Sequence, residues 1–144
     1  MKWRDWQLWA AHGAALIFWL VWYFYTEPVF HPAWPRVQPL PFAMLVVVYP
    51  LLEETVFRGL LQPAIANRLP RRWRLLSAAN LLTSGIFASL HLFYKPPGWA
   101  LLTFFPSLVF GYFRERHNSL ITPIWLHVFF NAGYYWLFGL GQAS

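Results

Sequence analysis

The sequence predicts an all-α fold, a polytopic transmembrane helical bundle of about five spans, on three observations. Apolar residues make up 58% of the chain and charged residues 11%, against about a quarter charged in soluble domains. Apolar stretches near the length that crosses roughly 30 Å of hydrocarbon as a helix follow one another along most of the 144 residues. Lysine and arginine gather on alternate connectors, as they do where a membrane sets the topology. This composition excludes a soluble enzyme, a disordered linker and a coiled coil. The chain reads as a single membrane-embedded domain over 1–144.

The first span covers 8–25. It has a basic start, but it ends in Tyr23-Phe24-Tyr25-Thr26 without a small-x-small cleavage pattern, so it reads as a retained helix. Pro28, Pro32, Pro35 and Pro39 make the connector 27–41 non-helical. The second span covers 41–62, and a short basic connector over 67–74 leads to the third, 75–94. Pro96-Pro97-Gly98 forms the next turn. A short fourth span covers 99–113, residues 114–118 turn the chain, and the fifth span covers 119–138. The core of the bundle is then 41–138.

With the N-terminus in the cytoplasm, Lys2, Arg4, Arg68, Arg71, Arg72, Arg74, Arg114 and Arg116 all lie inside, and only Arg36 and Lys95 outside. The positive-inside rule therefore orients the bundle in the inner (cytoplasmic) membrane. Trp3, Trp6 and Trp73 fall at the inner interface, and Trp22, Trp99 and Trp136 at the outer one. In a soluble chain the net charge of +6 would suggest nucleic acid. Here topology accounts for it, and membrane lipids rather than nucleic acid are the expected partners. The absence of cysteine removes disulfides, thiolate nucleophiles and thiolate metal sites together.

Ionisable side chains within spans are costly and are functional candidates by default. They are Glu53, Glu54 and Arg58 in the second span, His91 at the end of the third and His127 in the fifth; Asn131 lies one turn beyond His127. Glu54 and Arg58 are four apart and face the same way, so they read as a structural ion pair. Glu53 points about 100° away and has no partner on its own helix, which suits a general base. Packing of the second, third and fifth spans would bring Glu53, His91, His127 and Asn131 to one pocket. That set holds a base, a second proton carrier and donors for an oxyanion, as peptide hydrolysis by activated water requires. Ser84 with Ala88, and Ser107 with Gly111, allow close helix approach.

Blander readings stand beside these. Glu53 would serve as a second structural carboxylate, His91 as an interfacial histidine, and His127 with Asn131 as interhelical hydrogen-bond glue. For His12, His31 and His117, each near an interface or in a loop, the structural reading is preferred.

Glu53-Glu54-Thr55-Val56-Phe57-Arg58 reads EExxxR, Phe87 to His91 reads FxxxH, and His127 to Asn131 reads HxxxN. Three motifs in this order on three apolar spans resemble the CPBP family of intramembrane proteases (CAAX proteases and bacteriocin-processing proteins, also called Abi). The resemblance covers 41–138 and implies a glutamic endopeptidase. It implies that Glu53 activates water with help from His91, that His127 and Asn131 stabilise the oxyanion, and that Glu54 and Arg58 hold the site together. It also implies a membrane-associated or exported protein as substrate. Compact members of the family occur beside bacterial C-terminal sorting signals, which makes such a signal a candidate.

Other intramembrane protease chemistries fit worse. The only aspartate, Asp5, lies outside the spans, HExxH is absent, and Ser84-Gly85 lacks the glycine two residues before the serine. No cofactor is expected, with one alternative: Glu53, His91 and His127 form a His₂Glu set suited to zinc with a water. A non-enzymatic immunity or interaction protein, or a small proton-coupled carrier, is the remaining alternative.

Overall fold

The computed structural model describes residues 2–28 and 30–139; the rest of the domain read over 1–144 lies outside the described residues. Asp5 caps the first helix, α1 (Trp6–Thr26), by accepting the Gln7 N–H. The left-handed Glu27 ends it. Between 27 and 41 the prolines do not simply exclude helix, as the sequence reading had it. Pro35 sits in the first turn of α2 (Trp34–Val37), and Pro39 opens the long α3 (Pro39–Arg68). A missing N–H costs nothing in a first turn.

α3 therefore runs past the expected end of the second span. The basic connector after it is partly ordered as an antiparallel two-stranded hairpin, β1 (Arg72–Trp73) with β2 (Leu76–Ser77). Arg72 pairs with Ser77 and Trp73 with Leu76, and the tight turn takes Arg74 to a φ of 50°. Ser77 then caps α4 (Ala78–His91) through the Asn80 N–H.

The expected fourth span is two helices, α5 (Pro97–Leu102) and α6 (Phe104–His117). Pro106 has no N–H for the carbonyl of Leu102, which favours a break there. The charged run 114–117, expected to turn, continues α6. The turn falls instead at Asn118, which is left-handed at φ 47°. α7 (Ile121–Phe138) completes the bundle.

All five expected spans are thus helical, with shifted ends. Two of the helices, α1 and α3, are long and apolar enough to cross a membrane by length and composition alone. α4 and α6, at 14 residues each, rise only about 21 Å. They pack on each other, α6 on α7, and α1 on α7.

Burial is inverted relative to a water-soluble protein. Leu16, Ile17, Leu20, Val21 and Phe24 on α1, and Leu51, Leu52, Val56 and Leu60 on α3, are exposed. Fully buried are Glu54, Arg58, Asn80, Thr83, Ser84, Ser107 and Thr122. An apolar exterior around a polar interior is what a lipid solvent selects. Close approach follows from small residues. A Cβ on Gly111 would run into Asn80 of α4, and one on Gly133 into the ring of Trp19.

A second polar cluster ties the N-terminus to the α6–α7 junction. Asp5 pairs with Arg116 and with His117 Nε2 at 3.0 Å, and His117 Nδ1 meets Thr122 Oγ1 at 2.8 Å. The Arg116 guanidinium holds the Asp5 carboxyl well below the usual carboxylate range. His117, expected at an interface or in a loop, is buried within this cluster. His12 is buried too, between Leu8 O and the Trp125 indole N–H.

Candidate active site

The axis of the site is α3, whose α-helical register is interrupted twice. Residues Met44–Val48 and Thr55–Leu61 are π-helical. Each π segment stops two residues before a proline, Pro50 and Pro63. In an α-helix a proline removes the hydrogen bond to the carbonyl four residues back, and its ring clashes with that carbonyl. A wider turn relieves the clash. It also leaves a carbonyl without its partner. The Tyr49 N–H bonds Met44 O, five back, so the N–H due to Leu45 O belongs to Pro50 and does not exist. The Gln62 N–H likewise bonds Phe57 O, and the partner due to Arg58 O is Pro63.

Side chains from other helices take up both carbonyls. Asn131 Nδ2 donates to Leu45 O at 2.9 Å, and Arg114 Nε donates to Arg58 O at 3.0 Å. The Glu53-Glu54 pair lies between these two anchor points.

Glu54 and Arg58, both fully buried, form an ion pair with Arg58 Nε 3.2 Å from Glu54 Oε2. Arg58 Nη2 also donates to the carbonyl and hydroxyl of Ser107, at 2.9 and 2.6 Å. The rings of Phe57, Phe87 and Phe110 surround the guanidinium at 5.1 to 5.9 Å, where aromatic faces attract a cation. The other oxygen of Glu54 reaches His127. Its Oε1 lies 2.8 Å from His127 Nδ1, so Glu54 serves two cationic or donor groups rather than Arg58 alone. Glu53, which has no partner on its own helix, has Oε2 3.6 Å from His127 Nε2.

His91 Nδ1 lies 2.9 Å from Phe87 O, one turn back on α4. A carbonyl only accepts, so Nδ1 carries the hydrogen and Nε2 keeps a lone pair. The Phe87 ring touches His91, Phe57 and His127, while the Phe110 ring stacks on His127 at 4.8 Å. Ser107, Phe110 and Arg114, all on α6, were missed as site residues in the sequence reading, because no motif marks that helix. Phe87 was read only as a motif position.

A cavity of about 780 Å³ opens beside these residues. Glu53, His91, His127 and Asn131 all line it, whereas Glu54 and Arg58 do not. Tyr94 and Lys95 from the turn after α4, and Tyr134 and Tyr135 from α7, add polar groups. Burial in that turn pulls the Lys95 ammonium below the ordinary lysine value. Apart from Tyr49 and Thr103 the remaining wall is apolar, with Ala11, Ala14, Ala15 and Phe18 from α1 and Phe105 and Val109 from α6. Among the described residues, no three His, Asp or Glu side chains are grouped as a metal ion requires. The alternative zinc ligands Glu53, His91 and His127 share the cavity without forming such a group.

Residues 35–133, more than half of the chain, match the profile of the family described as Type II CAAX prenyl endopeptidase Rce1-like. No curated protein and no solved structure matches the chain. The matched segment contains all three motifs, with α3 and α4 whole and α7 as far as residue 133, and it leaves out α1. The chain belongs to the Rce1-like family of type II CAAX prenyl endopeptidases, and is a membrane-embedded protease of the CPBP group.

Proposed function

We propose that this protein hydrolyses a peptide bond of a membrane-associated or exported protein with a water activated by Glu53, without a metal or other cofactor. One observation carries the reading. Four polar side chains from three helices face one cavity, while the ion pair beside them is sealed off. Glu53 takes a proton from the water, whose oxygen attacks the scissile carbonyl. His91, with Nε2 available as an acceptor, shares that proton and passes it to the departing amine. When His127 carries a proton on Nε2, that N–H donates to the oxyanion together with the second hydrogen of the Asn131 amide. Glu54 and Arg58 fix His127 from behind. A C-terminal sorting signal is the substrate we favour. The proposed setting is the inner membrane, with several passes, the N-terminus in the cytoplasm and no nucleic-acid partner.

The test is a comparison of membrane and secreted proteomes from cells expressing wild type or Glu53→Ala, searched for new C-termini. Ends that appear only with the wild type support the reading and identify the substrate. Equal expression with no difference in ends overturns it. Cleavage of the identified substrate that survives exhaustive chelation supports the metal-free form, and loss restored by zinc overturns that form.

A further inference from the structure

The Arg58 carbonyl has two competing donors. In an α-helical register the Gln62 N–H would return to it, four residues back. In the register observed, Gln62 N–H bonds Phe57 O instead, and Arg114 Nε occupies Arg58 O at 3.0 Å. The other end of the Arg114 guanidinium is anchored on Asn118 Oδ1 at 3.2 Å, at the left-handed residue that ends α6. Arg114 therefore fastens the π segment that begins immediately after Glu54. A slip of that segment to an α register would rotate Arg58 relative to Glu54 and disturb the support of His127.

We propose that Arg114 is a positioning residue for the reaction, acting through the Arg58 carbonyl to hold α3 in the register that aligns the catalytic groups. This rests on the protease reading above. The same device recurs at the other π segment, where a side chain donor meets the carbonyl orphaned by Pro50. That recurrence argues against a chance contact. Buried carbonyls are seldom left unpaired, and π turns concentrate at functional sites.

The test uses the full chain in detergent or proteoliposomes and the substrate found by the proteome comparison. Arg114→Met keeps much of the aliphatic stem and removes the donor. It should lower kcat on the order of tenfold to a hundredfold, as small misplacements do, and leave KM nearly unchanged. Arg114→Lys keeps a cationic donor at the same position and should recover most of the kcat lost in Arg114→Met. Arg114→Lys as slow as Arg114→Met, or full activity in Arg114→Met, overturns the proposal. If Arg114→Met fails to accumulate, Arg114→Lys is measured in its place; accumulation near wild type supports the proposal and its absence overturns it.

Amide hydrogen exchange over 55–68 separates this proposal from the protease reading. Exchange that rises in Arg114→Met and stays near wild type in Arg114→Lys supports the register lock even if wild type cleaves nothing. In that case it is the protease reading that fails. Exchange unmoved by Arg114→Met overturns the lock while leaving proteolysis intact.

Discussion

His127 Nδ1 stands 2.8 Å from Glu54 Oε1, a bond between the first and third motifs that joins α3 to α7 inside the bundle. It makes Glu54 the centre of a charge cluster with Arg58 on its other oxygen. In a low-dielectric interior, removing one partner strands the others. Glu54→Gln should therefore cost about 3–5 kcal/mol of stability, seen as a lower melting temperature or a loss of folded protein in membranes. Glu53→Gln, at the cavity wall, should melt close to wild type. Equal melting of Glu54→Gln and wild type would sink the structural assignment.

Asn131 has two tasks, and a proline separates them. Its amide donates to Leu45 O, and it lines the cavity. Asn131→Ala should lose about 1–3 kcal/mol by leaving that carbonyl unpaired. It should also lose on the order of a hundredfold in kcat through the oxyanion. Pro50→Ala in the same chain supplies an internal N–H, so it should restore the stability and leave the kcat deficit. Recovery of both would make Asn131 a purely structural residue.

Gly111 is where α6 meets α4. A Cβ there would run into Asn80 Oδ1 and Cγ, the same amide that donates to Leu108 O at 2.9 Å. Gly111→Ala should destabilise by about 1–3 kcal/mol or more through overpacking. Gly85→Ala, with nothing within 4 Å of the new Cβ, is the control and should be neutral or slightly stabilising. The comparison needs only thermal melts of the purified proteins.

Asp5 sets the acid sensitivity of the N-terminal clasp. The Arg116 partner lowers its folded carboxyl below the ordinary aspartate value of about 3.9. The folded state therefore holds its proton less tightly than the unfolded state. The stabilisation is present above pH of about 4 and is lost as pH falls through the lowered folded value. Asp5→Asn should flatten the acid limb of a melting-temperature profile below that pH. An unchanged acid limb would contradict this linkage.

The sequence made the helices and the polar residues of the site legible because lipid leaves so few ways to bury charge. Glu53, His91 and His127 stood out against their apolar spans, and the four-residue spacing of Glu54 and Arg58 carried their pairing. The register of α3 was not legible in the same way. Pro50 and Pro63 were visible inside the second helix, but nothing local shows whether a proline will bend a helix, break it or widen a turn. The answer lies in donors far along the chain, Asn131 and Arg114, which only the packing brings near. The helix ends also escaped, since prolines at 35 and 39 begin helices while a charged run at 114–117 continues one. Asp5 and His117 are separated by most of the chain and carry no shared motif.

The wall of the cavity formed by α1 lies outside the matched segment, and its contribution there is alanine, phenylalanine and tryptophan without an ionisable group. Part of the containment is thus carried by a stretch that supplies none of the proposed chemistry. Changing Ala11, Ala14 or Phe18 alters the room beside Glu53, His91, His127 and Asn131 without touching any group of the proposed proton relay. On that reading selectivity can drift along the first helix while the residues assigned to the cutting step, encoded downstream, stay still.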